Sequence, residues 1–490
     1  MMSMLKDKST TSFDPSTVMH GPLMETGNTP EAKNDIMIEM QTYRKRGKMH
    51  LFWEKCQHEA AAKDPFYANN FRGVNFVVPV LTPSDSEMPF FNNSVILSDP
   101  DDCEHIARTH VKKQPFFSAL LFQSLIATTD NKHWARQRNY LNEVFLPKSS
   151  LTKIFPISWN RAKFCTEKLS GLAAKAGKYG VQMHEFFLHE AQAQLQLALF
   201  GMDEKFMEET NKQIREVFAG VHPGNGDFGA DMVLDMLKKV TENPAFGAPT
   251  DPDVIDGTKP LFGPLSKAVH NAATDLDMNL YDQFGNMMLI LFAGHDTTAH
   301  TMTWCAYELA RNPKYQRKVQ QEVDLLFQEI NARPMGQREM IYEDCAKLPY
   351  LTKCCMETLR LWTAVPNGTF RELQFDDEVR GPGGEMVTLK KGKEKTHFWL
   401  FLHNGIFLSL IFFYCFIFFL SSLFVYLLTF FVSFIYISNH TGTFVQVVNL
   451  MRQRNETLWG KDSMEFNPER EWKGKQIESE WSEHRVMEAL

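Results

Sequence analysis

The sequence predicts a mainly helical fold with small β-sheets. Two observations carry that expectation. From about residue 37 to 392 apolar residues recur at helical spacing over long stretches. The runs with strand character are few, short, and ended by Pro, Ser or Asp. A mild net charge of −7 over 490 residues, with no long basic run, adds that nucleic acid is not a partner.

Taken in order, residues 1–36 are polar, rich in Ser, Thr, Asp and Pro, and predict a disordered N-terminal lead-in with no signal peptide. Val74–Val80 and Ser94–Leu97 are the first strand-type runs. Asp99-Pro100-Asp101-Asp102 predicts a helix start, with Pro and acids in the first turn. Helical patterns follow at about 132–146, 151–175, 184–200, 204–219, 275–311, 313–330 and 348–362. Many Gly, Pro and Asp between 220 and 264 predict a long loop region among them. The eight cysteines include no C-x-x-C pair, which argues against a zinc site and for reduced, buried thiols.

Four short segments carry chemistry. Leu291-Phe292-Ala293-Gly294-His295-Asp296-Thr297-Thr298 puts a Gly and two β-branched Thr inside a helix, at a local cost of about 1 kcal/mol for the Gly alone. Thr hydroxyls can also bond back to the i−4 carbonyl and bend the helix. The gain is an opened groove with an acid and an alcohol beside it; the bland reading is a bend, or a cap at Asp296. Glu357 and Arg360 share a helix face. An ordinary surface salt bridge would serve as well. Trp134 and Arg138, i and i+4, can present an indole N–H and a guanidinium to one anion, or be a Trp under an Arg stem. Phe466-Asn467-Pro468-Glu469-Arg470 could bring an Arg to the Glu357–Arg360 pair.

In this order and spacing, the segments make the chain resemble a cytochrome P450, from about residue 40 to 392 and again from 443 to 472. The resemblance implies the P450 fold, with residues 37–392 as its body and 443–472 as the body resumed. Ala293-Gly294-x-Asp296-Thr297-Thr298 is similar to the family's oxygen-binding helix motif. It implies proton relay by Asp296 and Thr297, room left by Gly294, and a cofactor contact at Ala293. Trp134 and Arg138 resemble the pair that binds haem propionates, and Glu357, Arg360 and Arg470 the family's buried structural triad. Substrate contacts are expected from the loop before Trp134, from residues 200–260, and from Ala364 and Val365. The later segments look most like the eukaryotic fatty-acid hydroxylase branch. Haem b, an NAD(P)H-dependent reductase and a small lipophilic substrate such as a fatty acid follow from the resemblance, with a location at the cytosolic face of the endoplasmic reticulum membrane.

Two departures stand out. The family's Phe-x-x-Gly-x-Arg-x-Cys-x-Gly loop, which carries the iron-binding thiolate, is absent; no cysteine follows Cys415, and Cys415 lies among Phe and Ile with no Gly or Arg beside it. The expectation is a fold truncated at its C-terminal end and an inactive chain with no metal ligand. The second departure is an apolar insert over 393–442. No Asp, Glu, Lys or Arg lies between Lys395 and Arg452, and 12 of the 40 Phe fall between Phe398 and Phe434. Such a run is long enough to cross a membrane through 398–437, as one tilted helix or as a hairpin. It also has the composition a T-rich nucleotide stretch would encode, and Gly392-Lys393 and Gly474-Lys475 can be spelled by codons containing an intron's usual start. Removing it joins Val387–Gly392 to Thr443–Val447, a strand, a Gly turn and a second strand. Translated intron and membrane hairpin are thus the two readings, and residues 473–490 are an aberrant tail on the first.

Overall fold

A computed structural model describes residues 19–22, 29–46, 48–70, 73–82, 90–113, 121, 123–145, 148–199, 205, 207–208, 268, 271–272, 274–278, 280–391 and 444–472. Helices dominate. Before the first strand come α1 (Pro30–Lys45), α2 (Met49–Lys63) and α3 (Pro65–Asn70); then β1 (Phe76–Thr82), β2 (Phe90–Leu97) and α4 (Pro100–Thr109). The helical body holds α5 (Asn131–Phe145), α6 (Lys148–Ala176), α7 (Met183–Leu199), α8 (Leu280–Arg311), α9 (Pro313–Asn331) and α10 (Pro349–Leu361). Short strands β3 (Thr369–Glu372), β4 (Asp377–Arg380), β5 (Met386–Leu389) and β6 (Phe444–Val447) precede α11 (Asn449–Gln453) and α12 (Glu456–Trp459).

Local chemistry explains the boundaries. Asp99 caps α4, accepting from the Asp101 and Asp102 amides at 3.0 and 3.4 Å, with Pro100 at the first helical position. Leu348 cannot cap α10 with its side chain, so a neighbour does it: Glu322 of α9 accepts from the Tyr350 and Leu351 amides at 2.7 and 2.9 Å. α8 packs along α7 and crosses α10.

The larger sheet runs β1-β2-β6-β3, with β1 antiparallel to β2, β6 parallel to β2 and antiparallel to β3. Alternation along its strands sends Val77, Val95, Val445 and Val447 into one core with Met19, Ile106 and Leu389. Phe76, Val78 and Ile96 enter a second core with Phe52, Trp53 and Met451. β4 and β5 form a separate antiparallel pair.

Two expectations need correction. The lead-in over 1–36 is ordered in part: Met19 is buried in the sheet's core, His20 bridges Phe76 and pairs with Asp64 at 2.8 Å, and α1 begins at Pro30. One Met finding a tertiary pocket leaves no periodic mark in a sequence. Secondly, the segments flanking the insert are both strands but not one hairpin. β5 pairs with β4, whereas β6 enters the larger sheet between β2 and β3. A two-residue period identifies a strand without naming its partner. Among the described residues no helix is long and apolar enough to cross a membrane. The apolar run at 398–437, the loop at 220–264, the tail at 473–490 and nearly all of the helix expected at 204–219 lie outside the described residues.

Candidate active site

A cavity of about 530 Å³ opens between α8, the 121–128 loop, the start of α5 and β3. Its size is that of a small-molecule or cofactor site. Most of its wall is apolar, from Leu125, Ile126, Leu195, Leu289 and Ile290. Lys113 and Arg371 make part of the lining cationic, and Ala293 and Gly294 contribute a bare stretch of α8.

The cationic part is assembled across the sheet edge. Residues 112–113 run beside β3: Lys113 bridges Arg371 in antiparallel register, and the Glu372 amide donates to the Lys112 carbonyl at 3.0 Å. Lys113 and Arg371 therefore stand side by side on the cavity wall. The Lys113 ammonium donates to the Leu125 carbonyl at 2.6 Å and lies 5.6 Å from the centre of the Trp134 ring. Burial, with the charge of Arg371 added to it, pushes the Lys113 pKa down to about 8. Burial also lowers that of Arg371. Two crowded cations facing an apolar cavity are relieved by an anion.

Trp134 lies in the first turn of α5, which starts where Asp130 accepts from the Lys132 and His133 amides at 2.8 and 3.2 Å. Those two bonds hold the Asp130 carboxyl below its usual range. The Arg138 guanidinium stacks 5.2 Å from the Trp134 ring; Trp134 lines the cavity and Arg138 does not. A buried amide pair fixes the neighbouring loop: Asn286 of α8 donates to Gln137 of α5 at 2.7 Å and accepts from the Leu125 amide at 2.9 Å.

On α8, a side-chain carbon on Gly294 would come within 3.0 Å of the Leu195 Cδ1, so glycine lets α7 and α8 approach there and keeps the wall open. Downstream, Thr hydroxyls turn back onto the helix: Thr297 donates to the Ala293 carbonyl at 2.7 Å and Thr298 to that of Gly294 at 3.0 Å. Ala293 and Gly294 line the cavity, while Asp296 and Thr297 follow within the next turn and do not. Ala364 and Val365 are not lining residues either; the chain turns into the cavity later, over Gly368–Arg371. The turn needs glycine, since Gly368 has φ +67° and a side-chain carbon there would fall 1.8 Å from the Val447 carbonyl oxygen.

Behind this site, Glu357, Arg360 and Arg470 converge. Their exposures of 0%, 1% and 9% rule out a surface salt bridge. Glu357 receives Arg360 through two bonds at 2.9 and 2.8 Å, Arg470 at 3.3 Å and the Asn467 amide at 3.1 Å. Arg360 also donates to the carbonyls of Gln453 and Ser463, both at 2.7 Å, and Arg470 to those of Trp459 at 2.7 Å and Asp462 at 2.8 Å. The network ties α10 to the segment after β6.

Sequence reasoning missed Lys113, Arg371, Gln137 and Asn286. Only Gln137 carried a local signal, lying inside the Trp134–Arg138 segment. The lining would suit haem in part: Lys113, Arg371 and Trp134 would hold its carboxylates, and Ala293 and Gly294 put no bulky side chain on the wall. A thiolate ligand is not provided in the same way, because no cysteine is among the described lining residues. Nor do the described residues hold any cluster of three metal-ligating side chains.

Residues 264–403 match the family model for Cytochrome P450, a stretch that contains Gly294, Glu357, Arg360 and Arg371. Cytochrome P450 4V2 of Mus musculus is 38% identical over 143 residues, 27% of this chain and 25% of that protein. Cytochrome P450 4F8 of Homo sapiens is 42% identical over 102 residues, 20% of this chain and 19% of that protein. The aligned segments thus span about a quarter or less of these two relatives. Over the matched segment, the chain is similar to members of the cytochrome P450 family.

Proposed function

We propose that the chain is built as a haem-thiolate monooxygenase, hydroxylating a lipophilic substrate of the fatty-acid kind with electrons from an NAD(P)H-dependent reductase. The observation that carries the reading is one mainly apolar cavity lined by Lys113, Trp134 and Arg371 as well as by Ala293 and Gly294. When bound, haem would supply oxygen activation, with electron donation from a cysteine thiolate. Lys113, Arg371 and the Trp134 indole would hold its carboxylates through charge-assisted bonds, with Arg138 stacked on Trp134. Leu125, Ile126, Leu195, Leu289 and Ile290 would take an alkyl chain and exclude water. Thr297, bonded to the Ala293 carbonyl, would hold a proton one turn from the open wall, and Asp296 would replenish it.

A second reading is a non-enzymatic, haemless P450 fragment associated with membrane through 398–437. No Phe-x-x-Gly-x-Arg-x-Cys-x-Gly loop occurs in residues 1–490, which favours it. A reduced carbon monoxide difference spectrum of the full chain separates the two. The red-shifted Soret band of thiolate ligation is expected on the first reading; its absence after haem loading overturns that reading.

Residues 393–442 are read as an interruption of one body, because Leu389 before them and Val445 after them share one core. The translated-intron explanation is tested on reverse-transcribed message crossing codons 392–443. Excision supports it, and retention in abundant mature message overturns it.

A further inference from the structure

We propose that His110 is a positioning residue of the cavity: by bonding to Gln374 and Asp377 it sets the register in which residues 110–113 lie along β3, and so holds Lys113 beside Arg371 as a receptor for a carboxylate. His110 follows the last turn of α4, where its amide donates to the Ile106 carbonyl at 3.0 Å, and it is wholly buried. The Gln374 amide donates to the ring Nδ1 at 3.0 Å. The ring proton therefore sits on Nε2, which donates to the Asp377 Oδ2 at 2.8 Å. Phe375 packs against the ring, with centres 4.5 Å apart. Neutral imidazole suits this place because one rigid ring carries both an acceptor and a donor.

Register decides where Lys113 points. Three contacts follow one antiparallel alignment, with His110 opposite Gln374, Lys112 opposite Glu372 and Lys113 opposite Arg371. Side chains brace it: Gln374 accepts from the Lys112 amide at 3.2 Å, and the Lys112 ammonium donates to Glu372 at 3.1 Å. The bridge at Lys113 belongs to no strand, so a long ladder does not fix it. A slip of one residue would turn Lys113 to the opposite face, away from Arg371 and the cavity, because side chains alternate along an extended segment. His110 ties this segment down at two points, and its second partner is itself pinned. The Glu378 amide donates to the Asp377 Oδ1 at 2.8 Å, and His105 of α4 reaches both carboxylate oxygens, at 3.0 and 2.9 Å. Burial works against the Asp377 charge, yet the bonds from His105, the Glu378 amide and His110 hold its carboxyl below the usual range. The acceptor that faces His110 thus stays ionised. The carboxylate is taken from the function proposed above; the placing of Lys113 does not depend on it.

The test is trace acetylation of the full native chain from about pH 6 to 11, with no haem or ligand added. Peptide fragmentation reads the label at Lys113 against that at the exposed Lys353. In the wild type Lys113 should gain reactivity with a midpoint of about 8, set by burial and the charge of Arg371. His110→Leu removes both ring bonds and should raise the midpoint by about one unit or more toward the ordinary 10.5, as Lys113 leaves Arg371 for water. His110→Gln keeps one polar arm; it should raise the midpoint by a smaller, measurable amount, and it decides the matter if the leucine variant fails to fold. Lys168, held by Glu190 of α7 at 2.8 Å, should keep its wild-type profile in both, whereas a general loosening of the body would move it too. A midpoint that stays at about 8 in either variant, one that moves together with that of Lys168, or a wild-type Lys113 with the ordinary midpoint overturns the proposal. The carbon monoxide spectrum tests the oxygenase reading and this profile does not, so the two fail separately.

Discussion

Replacing Glu357 by Ala tests whether the Glu-Arg-Arg network holds the fold from inside. Glu357 accepts four hydrogen bonds, three of them from guanidinium groups. Its loss leaves Arg360, 1% exposed, with only carbonyl partners for a full positive charge. Breaking a buried pair from one side costs about 3–5 kcal/mol. An exposed i, i+3 pair would cost only about 0.2–1 kcal/mol. With an m-value on the order of 3 kcal/mol/M for urea, the expected fall in unfolding midpoint is about 1 M or more. Tryptophan fluorescence is the natural probe, since the Arg360 guanidinium lies 5.2 Å from the Trp459 ring. The double variant Glu357→Ala/Arg360→Met should cost less than the sum of its parts, because it removes the stranded charge together with its partner. A midpoint shift under about 0.3 M for Glu357→Ala, the value of an exposed pair, would refute the reasoning.

Three further predictions follow from the cavity and the sheet. Lys113 titrates in the folded chain at about 8, below its ordinary 10.5, so its charge is present below pH 8 and lost above it. Binding of an anionic amphiphile, followed by Trp134 quenching, should weaken as pH rises through about 8 and lose that step in Lys113→Met. The same shift makes folding stability rise between about pH 8 and 10.5, where the unfolded chain alone still holds the proton. Asn286→Leu strands the Gln137 side-chain oxygen and the Leu125 amide, at about 1–3 kcal/mol for each buried group left unsatisfied, and should raise hydrogen exchange in the 121–128 loop first. Unchanged exchange there would remove Asn286 from the positioning role. Deleting 393–442 should leave cooperative thermal unfolding intact, because Leu389 and Val445 already meet in one core; loss of the transition would show the segment to be part of the body.

The sequence was most informative where chemistry is local. The Gly and Thr residues of α8 announced a groove by their cost to the helix, and the hydroxyls do turn back to the i−4 carbonyls. Asp99 and Pro100 announced the start of α4. Glu357 and Arg360 were visible as a pair from their spacing, and as a buried one only through the resemblance, since their shielding comes from Gln453, Ser463 and Glu465, about a hundred residues away. Lys113 and Arg371 could not be foreseen together: only the antiparallel bridge beside β3 makes them neighbours. Ala364 and Val365 looked like the substrate edge because they follow the Glu-Arg helix. The positive φ at Gly368 delays the chain's entry into the cavity until Gly368–Arg371.

The position of β6 has a consequence for how the chain comes to be folded at all. Ser94 of β2 pairs with Phe444 of β6, so an interior strand of the four is synthesised 350 residues after its neighbour. Until residues 444–447 emerge, β2 and β3 each present an unpaired edge of backbone donors and acceptors, the kind of template on which nascent chains stick to one another. Closing so distant a pairing is slow by its contact order. Production of this protein should therefore be limited less by the stability of the finished sheet than by the time its two halves wait for their middle, and chaperones that shield open strand edges should raise the yield most.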